Sequence, residues 1–307
     1  MAKRETIGVA LSGGGIKSFS QYPFLSWCLS EGIELDVIAG TSMGSILAAL
    51  YASGLNSEQI KTELMELESY VKKNRLIRPS LKVFSIMGQR IYGGLTDGEP
   101  FEALLSSIFH KYGVRYMQDT KVPMAINAVD LVSGKTVVFV SDASRFDFSD
   151  YPDWIIEENA PIEVAVRASC SYPMVFAYCP YKNYHLVDGG VRMNVPVPLL
   201  TAFGASVKIA ITANEKSTEF NSTRISSIAN RVISLMANES ESMMLKEADL
   251  VLNFPLSADF LFKVGKGREV IDFSQDLFSS MQETVRDTIT PKQIFNLPWL
   301  SLFKRRK

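Results

Sequence analysis

Three short stretches carry residue types that could do chemistry together. Gly40-Thr41-Ser42-Met43-Gly44 stands between two apolar runs. This is the pattern of a serine on an abrupt strand-to-helix turn, flanked by glycines small enough for neighbouring backbone to pass. Ser42 there would project toward a substrate as a nucleophile; as a plain turn residue it would instead cap the following helix. Upstream, Ser12-Gly13-Gly14-Gly15-Ile16-Lys17-Ser18 sets three consecutive glycines before a helical pattern. A phosphate loop needs glycine directly before Lys-Ser, where Ile16 stands, so that reading fails. A dinucleotide fingerprint needs glycine where Ser18 stands, which weakens that reading too. What survives is bare backbone N–H at a helix start, suited to a developing oxyanion, or else a turn with no ligand.

A serine nucleophile needs a base. The chain has two histidines: His110, at the end of the helical pattern LLSSIFH, and His185, in YHLVDGG. Asp188 is the better candidate, because Gly189 and Gly190 after a strand-like His-Leu-Val allow a tight turn that presents a carboxylate at a strand end. A turn with no chemistry is the plain alternative.

The elements that must position these groups are strand-turn-helix units. Residues 7–11 read as a strand followed by a helix over 19–29, and residues 35–39 as a strand followed by a helix over 45–52. Two such units in succession predict a parallel sheet. Strands are also expected over 122–129, 136–140, 207–212 and 250–254, giving an α/β class. The 307 residues, 47% hydrophobic, suffice for one large domain. Lys plus Arg (32) balance Asp plus Glu (33), so no global field would gather nucleic acid, and none is expected as a partner. Cys28, Cys170 and Cys179 have no disulfide or metal-site spacing, which points to a reducing cytosol and no metal. No secretory signal is expected from the opening residues and no run of about 18 apolar residues is found, so lipid would be met from the side.

With these stretches on the page, the sequence resembles the patatin-like phospholipase family. The match rests on SGGGIKS (12–18), GTSMG (40–44), VRASCSYPMVF (166–176) and DGG (188–190), in that order, with VPV following Asn194. The resemblance implies a three-layer α/β/α fold with a central mainly parallel sheet, and hydrolysis of lipid ester bonds by a Ser–Asp dyad without a cofactor. It implies Ser42 as nucleophile, Asp188 as base, and the N–H groups of Gly13, Gly14 and Gly15 as oxyanion donors. Ser18 departs from the glycine that usually closes the family's loop, which would tighten the loop or shift a donor. Lys17 matches a basic position of the loop and would act electrostatically or be solvated.

The expected substrate is a lipid or phospholipid, cleaved through an acyl-enzyme in an apolar cleft that desolvates Asp188. The competing readings are a silent lipid-binding scaffold and a soluble esterase or acyltransferase on other esters. Residues 1–290 are expected to form the catalytic domain, with a helical insertion over about 56–118, and residues 291–307 an apolar and basic tail. Trp299, Leu300, Leu302, Phe303 and the terminal cations of that tail suit an anionic membrane surface. The expected location is cytoplasmic, with any membrane contact peripheral at the inner face. The sequence is silent on oligomeric state.

Overall fold

The computed structural model describes residues 5–76, 94–214, 223, 225–257, 260, 261 and 263–290. The first third holds β1 (Ile7–Leu11), α1 (Tyr22–Glu31), β2 (Val37–Gly40), α2 (Met43–Ala52), α3 (Ser57–Lys73), β3 (Gly94–Thr96) and α4 (Glu99–Lys111). There follow β4 (Met124–Asp130), β5 (Thr136–Val140), β6 (Trp154–Glu157), α5 (Ile162–Ser169), β7 (Met174–Phe176), β8 (Cys179–Tyr181) and β9 (Tyr184–Asp188). The last part holds α6 (Val197–Ala202), β10 (Val207–Thr212), α7 (Ile225–Met244), β11 (Leu250–Asn253), α8 (Gly267–Ser279) and α9 (Gln282–Ile289).

Every residue of β1 is buried, as a strand packed on both faces requires. It lies between β10 and β2, both parallel to it, and β11 and β4 extend the parallel array outward. β5 turns back antiparallel to β4, and β6 runs parallel to β5, giving the order β11-β10-β1-β2-β4-β5-β6. Period-two alternation sorts the strand side chains onto two faces. Val9, Leu11, Ile38 and Ile126 pack with Ile46, Leu47 and Leu50 of α2 and with side chains of α1, α3, α4 and α5. Ala10, Val37, Ala39 and Ala125 pack on the opposite face with Val197, Leu199 and Leu200 of α6. A mainly parallel sheet between two helical layers is the three-layer α/β/α architecture.

Three local features differ from expectation or sharpen it. The helix expected over 19–29 begins at Tyr22, after a 3-10 turn over Gly15–Gln21. Pro23 accounts for this, being tolerated only in the first helical turn, where its missing N–H has no partner to lose. Asn56 caps α3 with its side chain accepting from Gln59 N, and Gln59 reciprocates. The stretch expected as a helical insertion holds α3 and α4 but also β3, which pairs with β7 in a separate ladder. Three residues are too few for alternation to reveal a strand. Residues 77–93 of that stretch, and the tail over 291–307, lie outside the described residues.

One arrangement positions the site. β4 offers one edge to β5, and its other edge is shared by β2, paired at Met124–Ile126, and β9, paired at Ala128–Asp130. β2 ends with Gly40 opposite Ile126, while antiparallel β9 ends with Asp188 opposite Ala128. Two strands thus meet end to end along one edge, and residues 146 apart in sequence converge where they meet.

Candidate active site

Ser42 occupies the joint between β2 and α2 with φ 52 and ψ −131, a conformation that L-residues rarely adopt. Its neighbours have no room for a side chain. A Cβ on Gly40 would lie 2.6 Å from Gly44 O, and one on Gly44 would lie 2.5 Å from Ser12 O. The glycines let α2 start against the end of β1, and Ser42 carries the resulting strain. Thr41 fixes the incoming side: its N–H donates to Leu11 O, and its hydroxyl faces Asn127 Oδ1 at 2.7 Å. Ser42 N–H donates to Ser169 Oγ at 2.8 Å.

The Ser42 hydroxyl donates to Asp188 Oδ2 at 2.6 Å. The other carboxylate oxygen accepts from Gly190 N at 2.8 Å, and Asp188 N–H donates to Ser171 O at 3.0 Å. A Cβ on Gly189 would meet Asn127 atoms at 2.3 Å, so the Asp-Gly-Gly turn requires its first glycine. Asp188 is 3% exposed. Burial pushes its pKa up to about 6, against the lowering pull of the Ser42 hydroxyl and Gly190 N–H. A carboxyl group so placed is a stronger base than an exposed one and remains ionised at neutral pH.

Neither histidine joins this pair. His185 packs its ring 4.4 Å from that of Tyr178, and its backbone N–H donates to Asp130 Oδ1. His110 Nε2 lies 3.8 Å from Glu163 Oε2.

The glycine loop lies against the serine, since a Cβ on Gly13 would be 3.0 Å from Ser42 Cβ. One expectation is corrected here. The N–H of Gly13 donates to Asn194 O at 3.1 Å and is therefore not available to an oxyanion. Among the described residues, the N–H groups of Gly14 and Gly15 have no such partner. Met43 adds an N–H at the first position of α2, where no helical carbonyl can receive it. Gly15 takes φ 56, and a Cβ there would stand 2.0 Å from Leu261 O, the carbonyl that also accepts from Ile16 N.

Ser18, where the family pattern has glycine, is fully buried and its hydroxyl donates to Ser12 O at 3.2 Å, bracing the loop from within. Lys17 is buried, with Nζ 3.1 Å from Ala213 O, so the solvated reading of this residue is overturned.

Several residues of the site's frame fell in or beside the matched stretches without any role being expected of them. Ser169 and Ser171 lie in the stretch 166–176, and Asn194 before VPV, but each is a common residue whose partner is distant in sequence. Asn194 Nδ2 donates to Glu241 Oε2 at 2.9 Å, and Glu241 on α7 also accepts from Asn214 Nδ2. Such pairings depend on tertiary placement, which periodicity does not encode.

Comparison with known proteins follows the same outline. The family model for patatin-like phospholipase matches residues 9–201. The uncharacterized protein YqhO of Bacillus subtilis is 30% identical over 197 residues, covering 62% of this chain and 65% of that protein. Lysophospholipase NTE1 of Chaetomium globosum is 23% identical over 207 residues, covering 67% of this chain and 12% of the fungal protein. The chain thus spans less than two thirds of the length of these relatives. Human GIVD cytosolic phospholipase A2 superposes with a TM-score of 0.50 at 10% identity, over 93% of this chain and 60% of that one, which is a likeness of fold. Among the described residues, no helix is long and apolar enough to cross a membrane. Glycine loop, serine elbow and Asp-Gly-Gly turn all fall inside the matched residues, and the chain belongs to the patatin-like phospholipase family.

Proposed function

We propose that the protein is a lipid acyl hydrolase that cleaves carboxylic esters of phospholipids or lysophospholipids through a Ser–Asp dyad. The observation that carries this reading is the 2.6 Å contact of Ser42 Oγ with the buried Asp188 carboxylate, made by a serine in a strained conformation. Family membership and the lysophospholipase among the relatives support the substrate class.

In the first half-reaction Ser42 Oγ attacks the ester carbonyl carbon while its proton passes to Asp188 Oδ2. The carbonyl oxygen takes the negative charge and is met by the N–H groups of Gly14, Gly15 and Met43. Collapse breaks the bond to the alcohol, which leaves with the proton from Asp188, and Ser42 stays acylated. In the second half-reaction Asp188 takes a proton from water, the hydroxide attacks the acyl carbon, and Ser42 leaves with that proton as the fatty acid departs. One carboxylate acts in both directions, so no histidine is required.

Residues 1–290 would form the catalytic unit, meeting lipid peripherally at the cytoplasmic membrane face. The tail over 291–307 is assigned to that contact by composition alone. Removing it should lower partitioning onto anionic liposomes.

The direct test is labelling with a fluorophosphonate probe, followed by product analysis on phospholipid, lysophospholipid, triglyceride and a short-chain ester. Labelling at Ser42 with release of fatty acid from a phospholipid or lysophospholipid is the expected result. Absence of labelling in folded protein would leave the scaffold reading instead, and turnover of the short-chain ester alone would leave the soluble esterase.

A further inference from the structure

We infer that Ser169 is a positioning residue that holds the nucleophile's backbone in its strained conformation, as part of a three-residue jig at the end of α5 that sets both members of the dyad. The inference rests on the reading of Ser42 as nucleophile.

Ser42 N–H falls between two hydrogen-bond ladders. β2 ends at Gly40, and the neighbouring Thr41 N–H is taken by Leu11 O. On the other side Gly44 N donates to Thr41 O and Ser45 N to Ser42 O as α2 begins. At φ 52 the Ser42 N–H points to neither ladder, and its acceptor is Ser169 Oγ at 2.8 Å. Ser169 is fully buried, so water does not readily replace it there. Without that acceptor, the backbone gains by relaxing toward ordinary φ, which swings Oγ away from Asp188.

The same turn holds the base. Ser171 O accepts from Asp188 N at 3.0 Å. Between the two serines lies Cys170, whose thiol pKa is raised by burial and then by the nearby Asp188 carboxylate, and whose sulfur faces the hydroxyls of Ser45 and Ser42. The turn is fastened at its base by Arg167, which is buried. Its Nε donates to Gly98 O at 3.0 Å, one terminal nitrogen to Ala177 O at 3.1 Å and the other to the Ser171 hydroxyl. One rigid turn therefore fixes backbone atoms of residues 42 and 188 relative to each other. An error of about 1 Å between reacting groups costs on the order of 100-fold in rate, so the jig has a kinetic signature.

The test uses Ser169→Ala, Ser169→Thr and Ser169→Cys in the full chain, with a soluble short-chain ester, fluorophosphonate labelling rate and thermal melting. Loss of the acceptor should lower kcat and labelling rate about 10- to 100-fold, with KM changed less than about twofold. The pH of half-maximal activity should stay at the wild-type value, because the base is untouched. Thr keeps the oxygen and should restore most of the rate. If the Thr methyl prevents folding, Cys decides: it fills the space with a poor acceptor and should behave as Ala does. A folded Ala variant with wild-type kcat, a folded Thr variant as slow as Ala, or a Cys variant at wild-type rate would each overturn the inference. Ser42→Ala separates the two levels. If it still turns over ester, the nucleophile reading is what fails; if it is inactive while Ser169→Ala is undiminished, the jig alone fails.

Discussion

With Asp188 as the proposed base, its burial should make pH act on activity and stability in opposite directions. The group is 3% exposed and its pKa is raised to about 6, from an unfolded value of about 3.9. As a base it must be ionised, so kcat/KM on a soluble ester should rise with pH, pass half its maximum near 6, and fall about tenfold per unit well below that. Stability runs the other way. Between about pH 4 and 6 the folded state holds a proton that the unfolded chain has released, so raising pH through that window destabilises the fold. The loss is complete above 6 and amounts to about 3 kcal/mol. For 307 residues this corresponds to about 5 °C in Tm. Asp188→Asn removes the titration, so the Tm of the variant minus that of wild type should grow by about 5 °C from pH 4 to pH 8, while turnover disappears. Melting curves of both proteins across that range, beside a pH-rate profile, measure the two effects. His110→Gln and His185→Gln serve as controls and should leave the profile where it is, since neither side chain reaches the pair. A Tm difference that is flat with pH, or a half-activity pH that moves in a histidine variant, would refute the assignment of Asp188 as the desolvated base.

Other expectations can be checked with the same protein. Ser42→Ala should abolish fluorophosphonate labelling and reduce ester turnover by at least about 1,000-fold in protein that still melts cooperatively. Gly15→Ala must clear the Leu261 carbonyl at φ 56, and should lower stability by about 2 kcal/mol or more together with activity, read by melting and ester assay. Arg167→Ala strips the Gly98 and Ala177 carbonyls of their donor and should cost about 3 kcal/mol, seen as a denaturant midpoint shift at unchanged m. The three cysteines are buried, with thiol pKa raised by desolvation, so a thiol reagent at pH 8 should modify none of them until denaturant is added.

Much of this was legible in the sequence for a physical reason. Parallel strands buried on both faces appear as continuous apolar runs, and the expected strand over 207–212 coincides with β10. The elbow was legible because both of its glycines fall within five residues: Gly40 is demanded by its own turn, against Gly44 O, and Gly44 by the passing end of β1. What stayed hidden depends on pairings across the fold. The capture of the Gly13 N–H by Asn194 O, the inward turn of Lys17 onto Ala213 O and the acceptor role of Ser169 each join residues more than a hundred positions apart. No local period or propensity distinguishes these side chains from solvated ones. β3 escaped notice for a different reason, being shorter than one cycle of recognisable alternation.

The clasp between Ile16 N and Leu261 O bears on any attempt to transplant this domain. The glycine loop draws one of its fastenings from chain beyond residue 201, where the family match stops, and β1 draws its neighbour β10 from the same region. A fragment trimmed to the matched residues would present β1 as a raw sheet border, open to pairing with other molecules. The boundary that marks kinship is therefore not a boundary of self-sufficiency, and a minimal portable domain has to be cut further downstream.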